Sequence, residues 1–169
     1  IDGDAGIVMI HDDDGEFRIE DLARLITPKT KLISLTHVSN VMGTVVPIRE
    51  VAKLAHDNGA KLMVDGAQAV MHMSVDVQDL DCDFYAFTGH KIYGPSGIGV
   101  LYGKAELLDA MPPFLGGGDM ISTVTMEKST WAALPAKFEA GTPPIAQAVG
   151  LGAALEYVSD AGLEAIAAH

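Results

Sequence analysis

The sequence has little cysteine and few basic residues. Its single cysteine, Cys82, excludes an intramolecular disulfide, which fits a reducing compartment such as the cytoplasm. Lysine and arginine number 11 against 23 aspartate and glutamate residues, for a net charge of −12. Such a chain repels phosphate backbones and anionic lipid, so we expect neither nucleic-acid nor membrane-surface binding. No apolar run reaches the roughly 18–20 residues of a membrane span, and the start, Ile1-Asp2-Gly3, has no methionine or charged leader. This start suggests that the chain is a fragment.

Short apolar runs alternate with amphipathic segments along the 169 residues. This order predicts an α/β fold in which a mostly parallel sheet is covered by helices. The apolar runs are continuous, which is typical of strands buried on both faces. They occupy residues 7–10, 31–36, 61–64, 84–87, 98–102 and 121–125. Helices are predicted over 20–26, 47–58 and 104–111, and from Pro143 onward with Ile145, Val149, Ala153, Leu155 and Val158 as the apolar face.

Polar residues follow three of these runs, at the points where the strands end. Ligands of open α/β sheets bind beyond the carboxyl ends of the strands, so these side chains are candidate site residues. Asp65 follows a buried strand and is partly desolvated, which favours a cationic partner such as a protonated pyridine nitrogen. A helix-capping or metal-binding aspartate is the alternative.

Lys91 lies just past another strand, between Gly89 and Gly94. A lysine amine that is near a ligand and partly desolvated can form a covalent bond to an aldehyde. Thr88 and His90 could donate hydrogen bonds to a phosphate. The alternative is a solvated surface lysine, which is what most lysines are.

Other features point away from different chemistries. Asn40 and Gln68 could hydrogen-bond a ring oxygen of a cofactor, although such residues more often cap turns. The glycine-rich residues 94–99 precede a strand, unlike a dinucleotide-binding loop, which follows one. The histidines show no metal-ligand spacing, so no metal site is expected. Acidic neighbours disfavour the thiolate of Cys82, which we interpret as structural.

Taken together, five segments resemble the SUF-type, NifS-like cysteine desulfurases of the class V aminotransferase family. They are Thr36-His37-Val38-Ser39-Asn40-Val41-Met42-Gly43-Thr44, Asp65-Gly66-Ala67-Gln68-Ala69-Val70, Gly89-His90-Lys91-Ile92-Tyr93-Gly94-Pro95, Gly116-Gly117-Gly118-Asp119-Met120-Ile121 and Phe138-Glu139-Ala140-Gly141-Thr142-Pro143. The resemblance runs nearly end to end in family order. It implies the three-layer α/β/α large domain, of fold type I, of a pyridoxal 5'-phosphate (PLP) enzyme, with residues 1–169 as its central part and the flanking segment and small domain absent.

The resemblance also implies a role for each site residue. Lys91 would bind PLP covalently and move protons on the substrate, and Asp65 would pair with the pyridine nitrogen. Asn40 and Gln68 would contact the phenolic oxygen, while Thr88, where many relatives have serine, and His90 would bind the phosphate. Thr142 would reach the phosphate of the partner subunit's cofactor, which implies a homodimer.

The implied reaction converts L-cysteine to L-alanine and an enzyme persulfide, whose sulfur passes to an acceptor protein of the SUF system for iron–sulfur cluster assembly. The persulfide cysteine and the arginine that binds the substrate carboxylate would lie beyond His169, and Cys82 does not match that cysteine. We therefore expect this chain alone to be inactive. Alternatives are a selenocysteine lyase or another class V enzyme, and a non-catalytic α/β module.

Overall fold

The computed structural model describes residues 15–169 as two compact units, the first ending at Tyr85 and the second spanning Ala86–His169. The division falls inside a strand. The predicted apolar run 7–10 lies outside the described residues. Among residues 15–169, no helix has the length and apolar character needed to cross a membrane.

The first unit alternates helices and strands in the predicted order. Its elements are α1 (Ile19–Leu25), β1 (Leu32–Thr36), α2 (Ile48–Asp57), β2 (Lys61–Asp65), α3 (Val77–Leu80) and the first part of β3 (Phe84–Thr88). The predicted boundaries hold to within about two residues for α1, β1, α2 and β2. The helix α3 was not predicted, because its four residues are too few to show a helical period.

Helix α2 forms where proline precedes an amphipathic run. Pro47 fixes the backbone ahead of the first turn, and Asn58 ends the helix by donating its backbone N–H to the carbonyls of Ala55 and His56. One stripe is buried: Ile48, Val51, Ala52 and Ala55. Burying this stripe removes apolar surface from water and places β2 directly after the helix.

Strands β1 to β4 form a four-stranded sheet in that order, and β1 pairs with β2 in parallel from Leu32–Lys61 to Thr36–Asp65. The predicted α/β class with a mostly parallel sheet is confirmed. The predicted burial of both strand faces is wrong for β1. In β1 Ile33 is buried while Leu32 is exposed, because side chains alternate across a strand and only one face is covered.

The second unit contains the end of β3, a 3₁₀ turn at Gly89–Lys91, β4 (Gly99–Gly103), α4 (Ala105–Ala110), β5 (Ile121–Val124), β6 (Ser129–Trp131), a second 3₁₀ turn at Ala136–Phe138, α5 (Ile145–Ala161) and α6 (Leu163–Ala168). The predicted run 121–125 is one half of an antiparallel hairpin with β6. Strand β6 was missed because it is short and polar.

The buried face of α5 differs from the predicted one. Leu151, Ala154 and Val158 are buried, whereas Ile145, Val149 and Leu155 are exposed. Small and apolar residues occur on every side of this helix, so spacing alone does not select a face. Of the predicted set, Val158 is buried.

Candidate functional site

In the first unit, the end of β2 fixes Asp65 through its main chain and its side chain. The carbonyl oxygen of Asp65 accepts a hydrogen bond from the His37 N–H at 2.8 Å. Its Oδ1 accepts one from the Ala67 N–H at 2.9 Å. The side chain is exposed, whereas Gly66 and Ala67 behind it are buried. The carboxylate therefore lies at the end of β2, where the sequence predicted it, but the predicted partial desolvation of Asp65 is wrong, because the residue is exposed.

The two predicted amides meet each other in this unit. Gln68 Nε2 donates a hydrogen bond to Asn40 Oδ1. Asn40 lies in a turn organised by Ser39, whose Oγ accepts from the Met42 N–H at 3.1 Å. The contact orients the amide groups of both side chains, so a ligand that approaches them meets a fixed pair of polar groups.

A buried polar pair that the sequence analysis did not assign lies behind Asp65. His37 Nδ1 is 3.0 Å from the hydroxyl of Tyr85, and the two rings meet edge to face with centroids 6.0 Å apart. The side chains are 3% and 2% exposed. Burial lowers the pKa of His37. Burial raises the pKa of Tyr85, as does the nearby carboxylate of Asp65, so both groups are neutral near pH 7.

In the second unit, Lys91 ends the 3₁₀ turn that follows β3 and is half-buried. The Gly89 N–H donates to the Ile98 carbonyl at 2.8 Å, and a β-carbon at Gly89 would lie 2.8 Å from Ile98 Cγ2. A side chain at this position would therefore crowd Ile98 and the neighbouring backbone. Thr88 Oγ1 and His90 Nδ1 are 3.0 Å apart, so these two predicted phosphate ligands are brought together.

The residues after Lys91 hold an unusual backbone conformation. Tyr93 has φ of 61°, in the left-handed region that side chains rarely adopt. Its ring meets that of Tyr157 on α5 edge to face at 6.1 Å. The Gly94 N–H donates to the Gly89 carbonyl at 2.9 Å, which closes the loop back on its start. The turn that carries Lys91 is thus tightly closed.

Thr142 is exposed and lies between Gly141 and the start of α5. The Gly141 N–H donates to the Gly118 carbonyl at 2.9 Å, which ties this segment to the three-glycine loop. Of the seven predicted site residues, Asn40, Asp65 and Gln68 belong to the first unit, and Thr88, His90, Lys91 and Thr142 belong to the second.

Cys82 is fully buried, with 0% exposure, in agreement with its interpretation as structural. Next to it, Asp83 accepts hydrogen bonds at 2.8 Å from the Leu62 N–H and from His56 Nε2. Among the described residues, no group of three or more His, Cys, Asp or Glu side chains is arranged to hold a metal ion.

Nearly the whole chain matches one family of PLP enzymes. The sequence pattern of that family, Aminotransferase class-V, matches residues 4–169. The chain belongs to the class V aminotransferase family.

Within that family, the chain is similar to cysteine desulfurases. It is 60% identical over 158 residues to the cysteine desulfurase of Dickeya dadantii (strain 3937), an alignment that covers 93% of this chain and 38% of that protein. It therefore spans about two fifths of the length of that relative.

Solved structures of two cysteine desulfurases and of the cystine C–S lyase C-DES have the same fold. The apo cysteine desulfurase of Thermococcus onnurineus NA1 matches with a TM-score of 0.86 and 41% identity, over 93% of this chain and 40% of that one. The cysteine desulfurase CsdA of Escherichia coli matches with 0.83 and 50%, over 86% and 36%. A C-DES variant with glycine covalently linked to its PLP cofactor matches with 0.78 and 33%, over 86% and 40%.

Proposed function

We propose that this chain is part of the PLP-binding domain of a cysteine desulfurase, which converts L-cysteine to L-alanine and an enzyme-bound persulfide. The observation that carries the proposal is Lys91, held half-buried in the closed turn after β3, in a chain 60% identical to a cysteine desulfurase.

The side chains of the strand ends have the chemistry that PLP requires. The fixed carboxylate of Asp65 suits a protonated pyridine nitrogen, and the amides of Asn40 and Gln68 suit the phenolic oxygen. Thr88 and His90 offer a hydroxyl and an imidazole to the phosphate. The donor set therefore fits the cofactor, with Lys91 as the residue that binds it covalently.

Each residue has a distinct task in the proposed reaction. Bound PLP supplies an electron sink that stabilises negative charge on the substrate. Asp65 keeps the pyridine nitrogen protonated, which maintains that capacity. The amine of Lys91, when it is not bonded to the cofactor, would accept the proton from the Cα atom of cysteine and would return a proton as alanine forms. Thr88 and His90 hold the phosphate and so fix the orientation of the ring.

The sulfur acceptor is not Cys82. Attack on the substrate sulfur needs an accessible thiolate, and Cys82 is fully buried. We propose that another cysteine of the protein takes the persulfide and passes the sulfur to an acceptor protein of the SUF system, for iron–sulfur cluster assembly in the cytoplasm. The similarity to cysteine desulfurases supports this assignment.

We further propose a homodimer in which Thr142 contacts the phosphate bound by the partner subunit. Thr142 is exposed, and the same unit presents large apolar side chains to solvent, including Phe114 at 90% and Met126 at 98% exposure. Exposed apolar surface favours association. A dimer in sedimentation velocity, and weaker PLP binding in Thr142→Val, would support the proposal. A monomer at micromolar concentration would contradict it.

The cofactor assignment is tested by trapping PLP on the protein. Borohydride reduction followed by peptide mass spectrometry should find the pyridoxyl group on Lys91, and the visible absorbance should vanish in Lys91→Ala. Lys29→Ala, at an exposed lysine, is the matched control and should keep both signals. A Lys91→Ala protein with the absorbance of the wild type would refute the covalent role.

The reaction is tested by product analysis on the whole protein with PLP bound, since this chain alone is expected to be inactive. We expect L-alanine and sulfide, released with a thiol reductant, in equal amounts from L-cysteine. Parallel assays with L-selenocysteine distinguish a selenocysteine lyase, which would act on selenocysteine and leave cysteine unchanged. PLP bound at Lys91 with neither substrate consumed would indicate another class V reaction.

A further inference from the structure

Asp65 is anchored from the neighbouring strand. The parallel pairing of β1 and β2 ends at Thr36–Asp65, and the next N–H of the chain, that of His37, donates to the Asp65 carbonyl at 2.8 Å. His37 thus extends the ladder by one bond at the point where the carboxylate leaves the sheet. Its backbone fixes the main chain of Asp65.

The residue after Asp65 rests directly on an aromatic ring. A β-carbon at Gly66 would lie 2.0 Å from Cε1, 2.1 Å from Cζ and 2.3 Å from the hydroxyl oxygen of Tyr85. Any side chain at position 66 would therefore overlap Tyr85. The position of the Tyr85 ring therefore limits how far the backbone of Asp65 and Gly66 can move toward the protein interior.

The ring of Tyr85 is in turn held by the side chain of His37, 3.0 Å from its hydroxyl. Both side chains are buried, so a hydroxyl or imidazole without its partner would lose a hydrogen bond that water could not replace. His37 therefore fixes Asp65 in two ways. Its backbone N–H bonds to the Asp65 carbonyl, and its side chain holds the Tyr85 ring against which Gly66 packs.

We propose that His37 and Tyr85 are positioning residues that hold the Asp65 carboxylate where it can pair with the pyridine nitrogen of PLP. The inference rests on the proposed function, since it concerns the orientation of the Asp65 carboxylate toward the cofactor. It assigns to a buried pair, 48 residues apart in the sequence, control over one contact of the site. Neither residue touches the cofactor in this proposal.

The test measures how strongly the protein prefers PLP to 1-deaza-PLP, an analogue that has carbon in place of the pyridine nitrogen. Dissociation constants for both compounds are measured by absorbance titration of the apoprotein. The apoprotein is prepared by removing PLP from the purified holoenzyme. The ratio of the two constants isolates the contact to the nitrogen. It is insensitive to a general loss of stability, which weakens both complexes alike.

We expect Tyr85→Phe, which keeps the ring and removes the hydroxyl, to reduce the preference for PLP by roughly 3- to 10-fold, as typical couplings between contacting residues imply. His37→Gln should have a similar effect and serves as a second variant. Asp65→Asn should abolish the preference. His56→Gln is the matched control, because it removes a partly buried contact to Asp83 in the same unit without touching Asp65. Its ratio should equal that of the wild type.

The outcomes separate the two proposals. If the wild type prefers PLP but Tyr85→Phe and His37→Gln keep its full ratio, the positioning role is wrong and the cofactor site stands. If His56→Gln lowers the ratio as much as they do, the effect is not specific to the contact between His37 and Tyr85, and the positioning role is again wrong. If the wild type binds no PLP at Lys91, the proposed function itself fails.

Discussion

The hydroxyl of Tyr85 and Nδ1 of His37 share a hydrogen bond of 3.0 Å between two side chains that are shielded from water. Burial lowers the pKa of His37, because the charged imidazolium would lose its hydration. The bond therefore joins two neutral groups. The lowered pKa of His37 also makes the stability of the first unit depend on pH.

We expect stability to fall as the pH drops below the unfolded pKa of histidine, about 6.5. In that range the unfolded chain binds a proton at His37 while the folded chain does not, so protons favour unfolding. The slope from this residue cannot exceed about 1.4 kcal/mol per pH unit. Urea unfolding at pH 7.5, 6.5 and 5.5 measures it. His37→Gln should remove this part of the slope; a difference between the two proteins that is constant across these pH values would contradict the expectation.

A second dependence on pH arises at Asp83. Burial raises the pKa of its carboxyl, but the hydrogen bond from the Leu62 N–H and the contacts with His56 and Lys61 outweigh burial and leave the pKa below its ordinary value. A depressed folded pKa means that the contribution to stability is full above the unfolded pKa, about 3.9, and is lost as the pH falls through the folded value.

Asp83→Asn should therefore destabilise the protein at pH 7 by about 1.5–3 kcal/mol, the usual contribution of hydrogen bonds to a charged group. The gap between wild type and variant should narrow as the pH falls below about 4, where the unfolded carboxyl becomes protonated, and should close below the lowered pKa of the folded carboxyl. Asp57→Asn, at an exposed carboxylate of α2, is the control and should change little. A gap that persists undiminished at pH 3 would show that charge is not the cause.

Gly66→Ala should destabilise the first unit by about 1–3 kcal/mol, the typical cost of overpacking, because the new methyl group overlaps Tyr85. Gly152→Ala in α5 is the contrasting case. A β-carbon there meets no atom within 4 Å, so the better helix propensity of alanine should stabilise by up to about 1 kcal/mol. Thermal denaturation of both variants tests the pair, and equal shifts of melting temperature would contradict it.

Lys137 supports the end of α4 in the second unit. Its buried ammonium group donates to the carbonyls of Leu108 and Asp109 at 3.0 and 2.9 Å. Lys137→Met should cost about 1.5–3 kcal/mol, since these last-turn carbonyls lose a charged donor. Lys128→Met, at an exposed lysine, should be nearly neutral. Urea denaturation compares the two, and equal midpoints would show that the buried bonds contribute nothing.

The sequence predicted the elements whose pattern is local. Helix α2 shows its apolar stripe and both of its end signals, and the strands show continuous apolar runs, so their bounds were predicted closely. The elements that it missed are short, as in α3, or polar and exposed, as in β6. The buried face of α5 depends on what packs against the helix, which its own residues do not specify.

The same division applies to the candidate site. Asp65 and Lys91 were predicted because strand ends are recognisable along the chain. The contact between Gln68 and Asn40 spans 28 positions and that between His37 and Tyr85 spans 48, so each depends on which strands are neighbours. Gly66 was a signal in the sequence for the contact that involves Tyr85, because a glycine after a strand-end aspartate indicates that another group approaches closely. It did not identify that group.

The overlap between position 66 and the ring at position 85 also limits how this protein can vary. In a selection from a library randomised at position 66 alone, glycine should be the residue recovered. A library randomised at both positions should admit alanine or serine at 66 only together with a smaller residue at 85. Substitutions at the two positions then depend on each other, and their order matters: position 85 has to change before position 66 can.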